Sequence, residues 1–168
     1  MVSKVKSAFF LAMLSSLVLV DSAKADLKAL PEAAPKLALS KLKSKLALEI
    51  DGLNSQNGEV CLKLFSASSG FPYTNNNVVE KQCVKITNNP LTITLNEIPS
   101  GSYAAAIFHD IYGDHKLRRN SLGMPTEGYG FSNNPIVRDG PPKYGDCVFV
   151  VAGSDTTIKI QMNYSKEN

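Results

Sequence analysis

Apolar and polar residues alternate over most of the chain, with the period of strands rather than helices. Leu46, Leu48 and Ile50 interleave with Ala47, Glu49 and Asp51, the pattern of a strand with one covered face. Asn57-Gly58 marks a turn. Val60, Leu62 and Leu64 then alternate with Cys61, Lys63 and Phe65 in a second strand. A polar stretch at 66–77 reads as a loop, and residues 78–87 hold a third strand around Cys83, Val84 and Ile86. After the turn at Asn88-Asn89-Pro90, Leu91, Ile93 and Leu95 mark a fourth. Residues 102–110 are apolar on both faces, as a central covered strand requires. Residues 147–152 and 156–164 supply the sixth and seventh strands, with Cys147 expected inside the sixth as a small buried hydrophobe.

About seven short strands, frequent turns and no crossover helices predict an all-β antiparallel β-sandwich. The sandwich domain is expected over residues 46–164, followed by a tail at 165–168. Ahead of it, residues 1–25 read as a signal peptide. Lys4 and Lys6 precede an apolar run at 8–20, and Ala23-Lys24-Ala25 presents the small residues of a cleavage site. The run is shorter than the ~20 apolar residues of a spanning helix, so no transmembrane segment is expected after cleavage. Residues 26–45 are rich in Ala, Leu, Lys and Pro, and predict a flexible leader with one short helix after Pro35. The expected location is periplasmic or extracellular.

Charge and cysteine content sharpen this picture. The whole chain has 18 Lys and Arg against 15 Asp and Glu, but cleavage after Ala25 leaves 15 and 14. A near-neutral domain has no global field to draw it onto nucleic acid, so no nucleic-acid partner is expected. Three cysteines remain, at 61, 83 and 147. An exported chain can keep disulfides. Cys61 and Cys83 are the preferred pair, since each lies on an early strand, which leaves Cys147 over. No Cys-x-x-Cys supports a redox motif or a zinc ribbon.

The segment 111–146 stands apart. It exceeds the length of an ordinary connector, and its glycines at 113, 123, 128 and 130 permit tight turns. Leu122, Met124, Tyr129 and Phe131 are expected to pin it to a sheet, making it one long ordered loop. Within and around it, His109-Asp110, then Gly123-Met-Pro-Thr-Glu127-Gly-Tyr-Gly-Phe131-Ser-Asn-Asn134, then Pro141-Pro142 and Asp146 resemble the bacterial domain-of-unknown-function 2141 family. Ile98-Pro-Ser-Gly-Ser-Tyr-Ala104 fits the strand before it. The resemblance spans about 46–164. It implies an exported, uncharacterised sandwich of immunoglobulin or prealbumin-like kind, and no established activity.

The family typically follows His-Asp with an Asn-Gly-Asn-Gly-Lys-Leu-Asp type of stretch, which resembles a calcium loop of alternating oxygen ligands. This chain keeps Asp110 and Asp114 as candidate metal ligands. It places Tyr112 and Arg118 where further oxygens would stand. The bland reading is a solvent-facing turn in which Asp110 or Asp114 pairs with Arg118 or Lys116. His109, Asp110, His115 and Glu127 form an alternative set for a transition metal or metal-dependent enzyme, provided the loop folds them together. No Gly-x-Ser-x-Gly elbow supports a hydrolase.

The residues therefore favour a non-catalytic binding or scaffolding module acting through 109–146. No cofactor is expected, with calcium at Asp110 and Asp114 as the alternative. His109, Asp110, Glu127, Tyr129, Phe131, Asn133 and Asn134 are its candidate contacts, for an unidentified protein, small-molecule or glycan ligand. Loops on a rigid frame are where such sites tend to sit.

Overall fold

The computed structural model describes residues 42–165, apart from residue 139. The expected signal peptide, nearly all of the leader and residues 166–168 lie outside the described residues. The fold is built from β1 (Lys43–Asp51), β2 (Glu59–Phe65), β3 (Val78–Lys85), β4 (Leu91–Pro99), β5 (Gly101–Asp110), β6 (Tyr129–Phe131), one helical turn α1 (Tyr144–Cys147), β7 (Phe149–Val151) and β8 (Asp155–Gln161).

Two sheets result. The smaller has the order β4-β1-β8, and the larger β3-β2-β5-β6, with β7 also paired to β5. They make a β-sandwich in which all but one pairing is antiparallel. The exception joins the two ends of the domain: β8 runs parallel to β1, with Leu46 opposite Thr156 and Ile50 opposite Ile160.

Period-two alternation decides which side chains enter the core. Leu46, Leu48 and Ile50 of β1 and Leu91, Ile93 and Leu95 of β4 face inward. They meet Val60, Leu62 and Leu64 of β2 and Tyr103, Ala105 and Ile107 of β5. Each fully buried aliphatic side chain contributes roughly 1.5–3 kcal/mol. The outer face of the larger sheet is covered too. Ala104, Phe131 and Cys147 form a second buried cluster there, with Phe71, Val137 and Tyr144 packed on it. That cover explains why β5 is apolar on both faces.

The pattern missed two elements and misplaced one residue. β6 is only three residues long, too short to show a period, and α1 is a single turn. Cys147 is the last residue of α1, not part of a strand, and β7 begins two residues later. Its burial is as expected. Leu122 and Met124 do not pin the loop: they are 84% and 50% exposed, whereas Phe131 is buried.

Candidate functional site

β5 ends in His109-Asp110, and strand alternation sends the two side chains to opposite faces of the sheet. His109 lies on the inner side with no exposed surface. Its Nε2 is 2.7 Å from the Asn57 carbonyl, and its Nδ1 is 2.8 Å from the Tyr164 hydroxyl. A carbonyl only accepts, so Nε2 carries the proton. The Tyr164 oxygen already accepts from the Asn54 amide at 3.2 Å, so its hydroxyl donates to Nδ1. Both ring nitrogens are occupied in tying the β1–β2 turn to the C-terminal end of the domain.

Asp110 faces the other way, also fully buried. Its Oδ1 accepts from the amides of Gly113 (2.8 Å) and Asp114 (3.3 Å), and its Oδ2 from that of His115 (2.8 Å). Burial alone pushes its carboxyl up. The amide donations from His115, Gly113, Asp114 and Tyr112 together outweigh it and hold the group below its ordinary value. Glu127, 1% exposed, gathers backbone amides from the rest of the loop: its carboxyl oxygens accept from Ile111 (3.2 Å) and Arg118 (2.9 Å). The side chains of two buried acidic residues thus hold segment 111–127 by its backbone amides.

Asp114 pairs with Arg118, whose Nε and Nη2 lie 3.1 and 3.0 Å from Oδ2. The same guanidinium stacks 3.9 Å over the Tyr112 ring. The oxygens that calcium would need on Asp110 and Asp114 therefore carry amide and guanidinium hydrogens in this conformation. His109 and Asp110 face apart, so the set His109, Asp110, His115 and Glu127 does not converge on one point.

The Gly-Tyr-Gly-Phe-Ser-Asn-Asn string closes one side of the sandwich. A Cβ on Gly130 would stand 2.9 Å from the Gln161 carbonyl oxygen, and one on Gly128 would stand 2.5 Å from the Tyr164 ring. Only glycine allows β8 and the following residues to approach so closely. Tyr129 bridges to Asn163, and Tyr129 and Phe131 pack on the outer cluster. The Ser132 hydroxyl accepts from the Ala105 amide and donates to the Cys147 carbonyl. Asn133 and Asn134 take left-handed backbone angles, which asparagine tolerates. Their side chains bond the Val148 carbonyl at 2.7 Å, the Lys159 carbonyl at 3.2 Å and the Gln161 amide at 2.7 Å.

A concave feature lies beside these residues, on the outer face of β2, β3 and β5. It is a cleft of about 560 Å³ lined by Glu59, Cys61, Lys63, Lys81, Cys83, Phe108, Asn75 and His115 among others. The Cys61–Cys83 disulfide, joining residues directly opposite on β2 and β3, lies in its lining. Lys63 and Lys81 are likewise directly opposite. Burial, and then the neighbouring Lys81 charge, push the Lys63 ammonium below its ordinary value. Its Nζ donates to the Tyr73 carbonyl at 3.2 Å. At the other end, His115 Nε2 lies 3.7 Å from Glu59. Above, the Arg119 guanidinium sits 5.6 Å from the Tyr73 ring, so the 66–77 and 111–127 loops meet.

Of the residues expected to form a site, only His115 and the cysteine pair face this cleft. Asp110 acts on it indirectly by holding the His115 backbone. Glu59, Lys63, Lys81 and Phe108 were missed. Their signal was in the sequence: Glu59, Cys61 and Lys63 are the outward residues of β2, and a cysteine pair there fixes which β3 residues stand beside them.

The two-sheet frame, its one capped side and its loop-walled cleft define a β-sandwich module with no helix, among the described residues, long and apolar enough to cross a membrane. The chain belongs to the family described as "uncharacterized protein conserved in bacteria" (DUF2141), whose sequence model matches residues 48–159. No curated protein and no solved structure gives a significant match.

Proposed function

We propose that the protein is an exported, non-catalytic binding module that holds a small anionic ligand, a phosphate or carboxylate group, in the cleft on the outer face of β2, β3 and β5. The observation that carries this reading is the Lys63–Lys81 pair. Like charges directly opposite across two strands are destabilising, and here both line a concavity. An anion between them relieves the repulsion and gains two charge-assisted contacts. Phe108 offers an apolar floor, and Asn75 an amide at the rim.

In this reading His109, Asp110, Glu127, Tyr129, Phe131, Asn133 and Asn134 build the wall and contact no ligand. The side-chain polar groups of His109, Asp110, Glu127, Asn133 and Asn134 are already hydrogen-bonded within the fold, which supports a binding role over an enzymatic one. Export is supported by the apolar run and Ala23-Lys24-Ala25, together with the disulfide. Processing after Ala25 predicts an N-terminus at Asp26, readable by mass spectrometry of the exported chain. A product beginning at Met1 would contradict it.

Thermal unfolding of the processed chain tests the ligand class. Inorganic phosphate or succinate at ten times its dissociation constant should stabilise the fold by about 1.4 kcal/mol, a midpoint rise of a few degrees. Calcium should leave the midpoint unchanged. Lys81→Gln should abolish the anion response and, without anion, stabilise the chain by roughly 0.2–1 kcal/mol. A response to neither anion, or one kept in both Lys63→Gln and Lys81→Gln, would overturn the assignment.

A further inference from the structure

We propose that opening the Cys61–Cys83 disulfide converts one end of the cleft into a zinc site formed by Cys61, Cys83, His115 and Glu59. Among the described residues, Glu59, Cys83 and His115 bring one ligand atom each to within 4.8 Å of one another. Zinc bonds of ~2.0–2.3 Å place tetrahedral ligand atoms roughly 3.3–3.8 Å apart, so a small contraction completes the set. Cys61 supplies the fourth ligand. It stands directly opposite Cys83, lines the same cleft and lies two residues after Glu59 on the same face of β2.

Each partner is suited to this role. The His115 backbone is held in a left-handed conformation, φ 57°, with its amide on Asp110 Oδ2. Its imidazole is exposed, and its contact with Glu59 at 3.7 Å is loose. The ring can therefore turn toward the sulfurs without breaking a strong hydrogen bond. Two thiolates, one carboxylate and one imidazole around Zn²⁺ carry a net charge of −1. Lys63 and Lys81, the next outward pair along β2 and β3, offset that charge and favour the thiolate form of both cysteines. Paired thiolates with an imidazole select zinc over calcium or magnesium. Cys147 does not compete, because burial and then the neighbouring Asp146 charge push its thiol up to about 12.

The chemistry balances with a dithiol as reductant. The dithiol gives two electrons and two protons to the Cys61–Cys83 bond and leaves as its own disulfide. Zinc then displaces both thiol protons to solvent. A small-molecule disulfide reverses the sequence by thiol exchange: it takes the two electrons and leaves as two thiols that draw their protons from solvent, the metal departs, and the Cys61–Cys83 bond re-forms. The cleft therefore has two states, closed by a disulfide or closed by a metal. The lysines are not ligands, so this inference stands or falls separately from anion binding, and Lys81→Gln should retain zinc uptake.

The test compares the processed chain with its disulfide intact and after opening by a phosphine that is then removed without oxygen. Each form is titrated calorimetrically with Zn²⁺. Co²⁺ serves as a coloured substitute whose thiolate charge-transfer band reports sulfur ligation. The opened chain should bind one metal with that band, and the oxidised chain none. Cys61→Ser/Cys83→Ser should remove the band, and His115→Ala or Glu59→Gln should weaken binding about tenfold or more. Equal uptake by both forms, or no loss on His115→Ala, would overturn the proposal. So would an opened chain that keeps its near-ultraviolet dichroism yet binds nothing. An opened chain that unfolds and is not restored by zinc counts against it equally.

Discussion

Asp110 sits at the end of β5 with no exposed surface and three hydrogen-bonded amides around its carboxylate. It is kept ionised because those dipoles favour the charge more than burial disfavours it. Its folded value lies below the unfolded one, so its contribution is fully present above ~3.9 and is lost as pH falls through the depressed value. Asp110→Asn should cost about 1–3 kcal/mol at neutral pH. The gap from wild type should shrink as the pH falls below about 4 in urea unfolding curves. A gap that stays constant as the pH is taken well below about 4 would contradict this account. Cys147 offers a second residue-scale check. With its thiol pushed up to about 12 and fully buried, it should resist iodoacetamide in the native chain at mildly alkaline pH and react once the chain is unfolded. His109, Asp110 and Glu127 were legible as unusual because the sequence sets charged and aromatic polar groups beside a glycine-rich loop. Spacing could not say why they are there. A carboxylate that gathers backbone amides and one that ligates a metal are the same residue, and only the fold reveals which hydrogens surround it.

At the scale of elements, β1, β2, β4, β5 and β8 were legible because each buries one row of aliphatic side chains, and β5 because it buries two. β6 and α1 were not. β6 holds Tyr129-Gly130-Phe131, in which the glycine is dictated by the approach of β8 and not by strand propensity. The Gln161 oxygen that a Cβ on Gly130 would meet belongs to the backbone and cannot turn aside. Gly130→Ala should therefore destabilise the domain by roughly 1–3 kcal/mol, as overpacking does. An unchanged denaturant midpoint would mean that β6 and β8 separate more easily than their contacts imply. The parallel β1–β8 pairing was also hidden. Each strand has its own alternation, but nothing local to either segment states that the two ends of the domain lie side by side.

For the whole molecule, the instructive difference is where the concave surface falls. The sequence drew attention to 109–146 as the binding segment, and that segment does wall the cleft through His115. The floor belongs to strands whose outward residues looked like ordinary solvent-facing positions. Lys63 and Lys81 are 18 positions apart in sequence and become a pair only through the β2–β3 register. The disulfide between Cys61 and Cys83, expected from the strand reading, fixes the same register. A sandwich needs one covered face per sheet. This one also covers part of the outer face of its larger sheet, around Ala104, Phe131 and Cys147, and the cleft lies on the part left open at β2 and β3.

The most direct measurement is an amide chemical-shift titration of the ¹⁵N-labelled processed chain with inorganic phosphate, repeated on Lys63→Gln/Lys81→Gln. We predict saturable shifts clustered at Lys63, Asn75, Lys81, Gln82 and Phe108, and their loss in the double variant. Shifts scattered over the surface, or a cluster at the far sheet that survives the double variant, would contradict the cleft as the binding site.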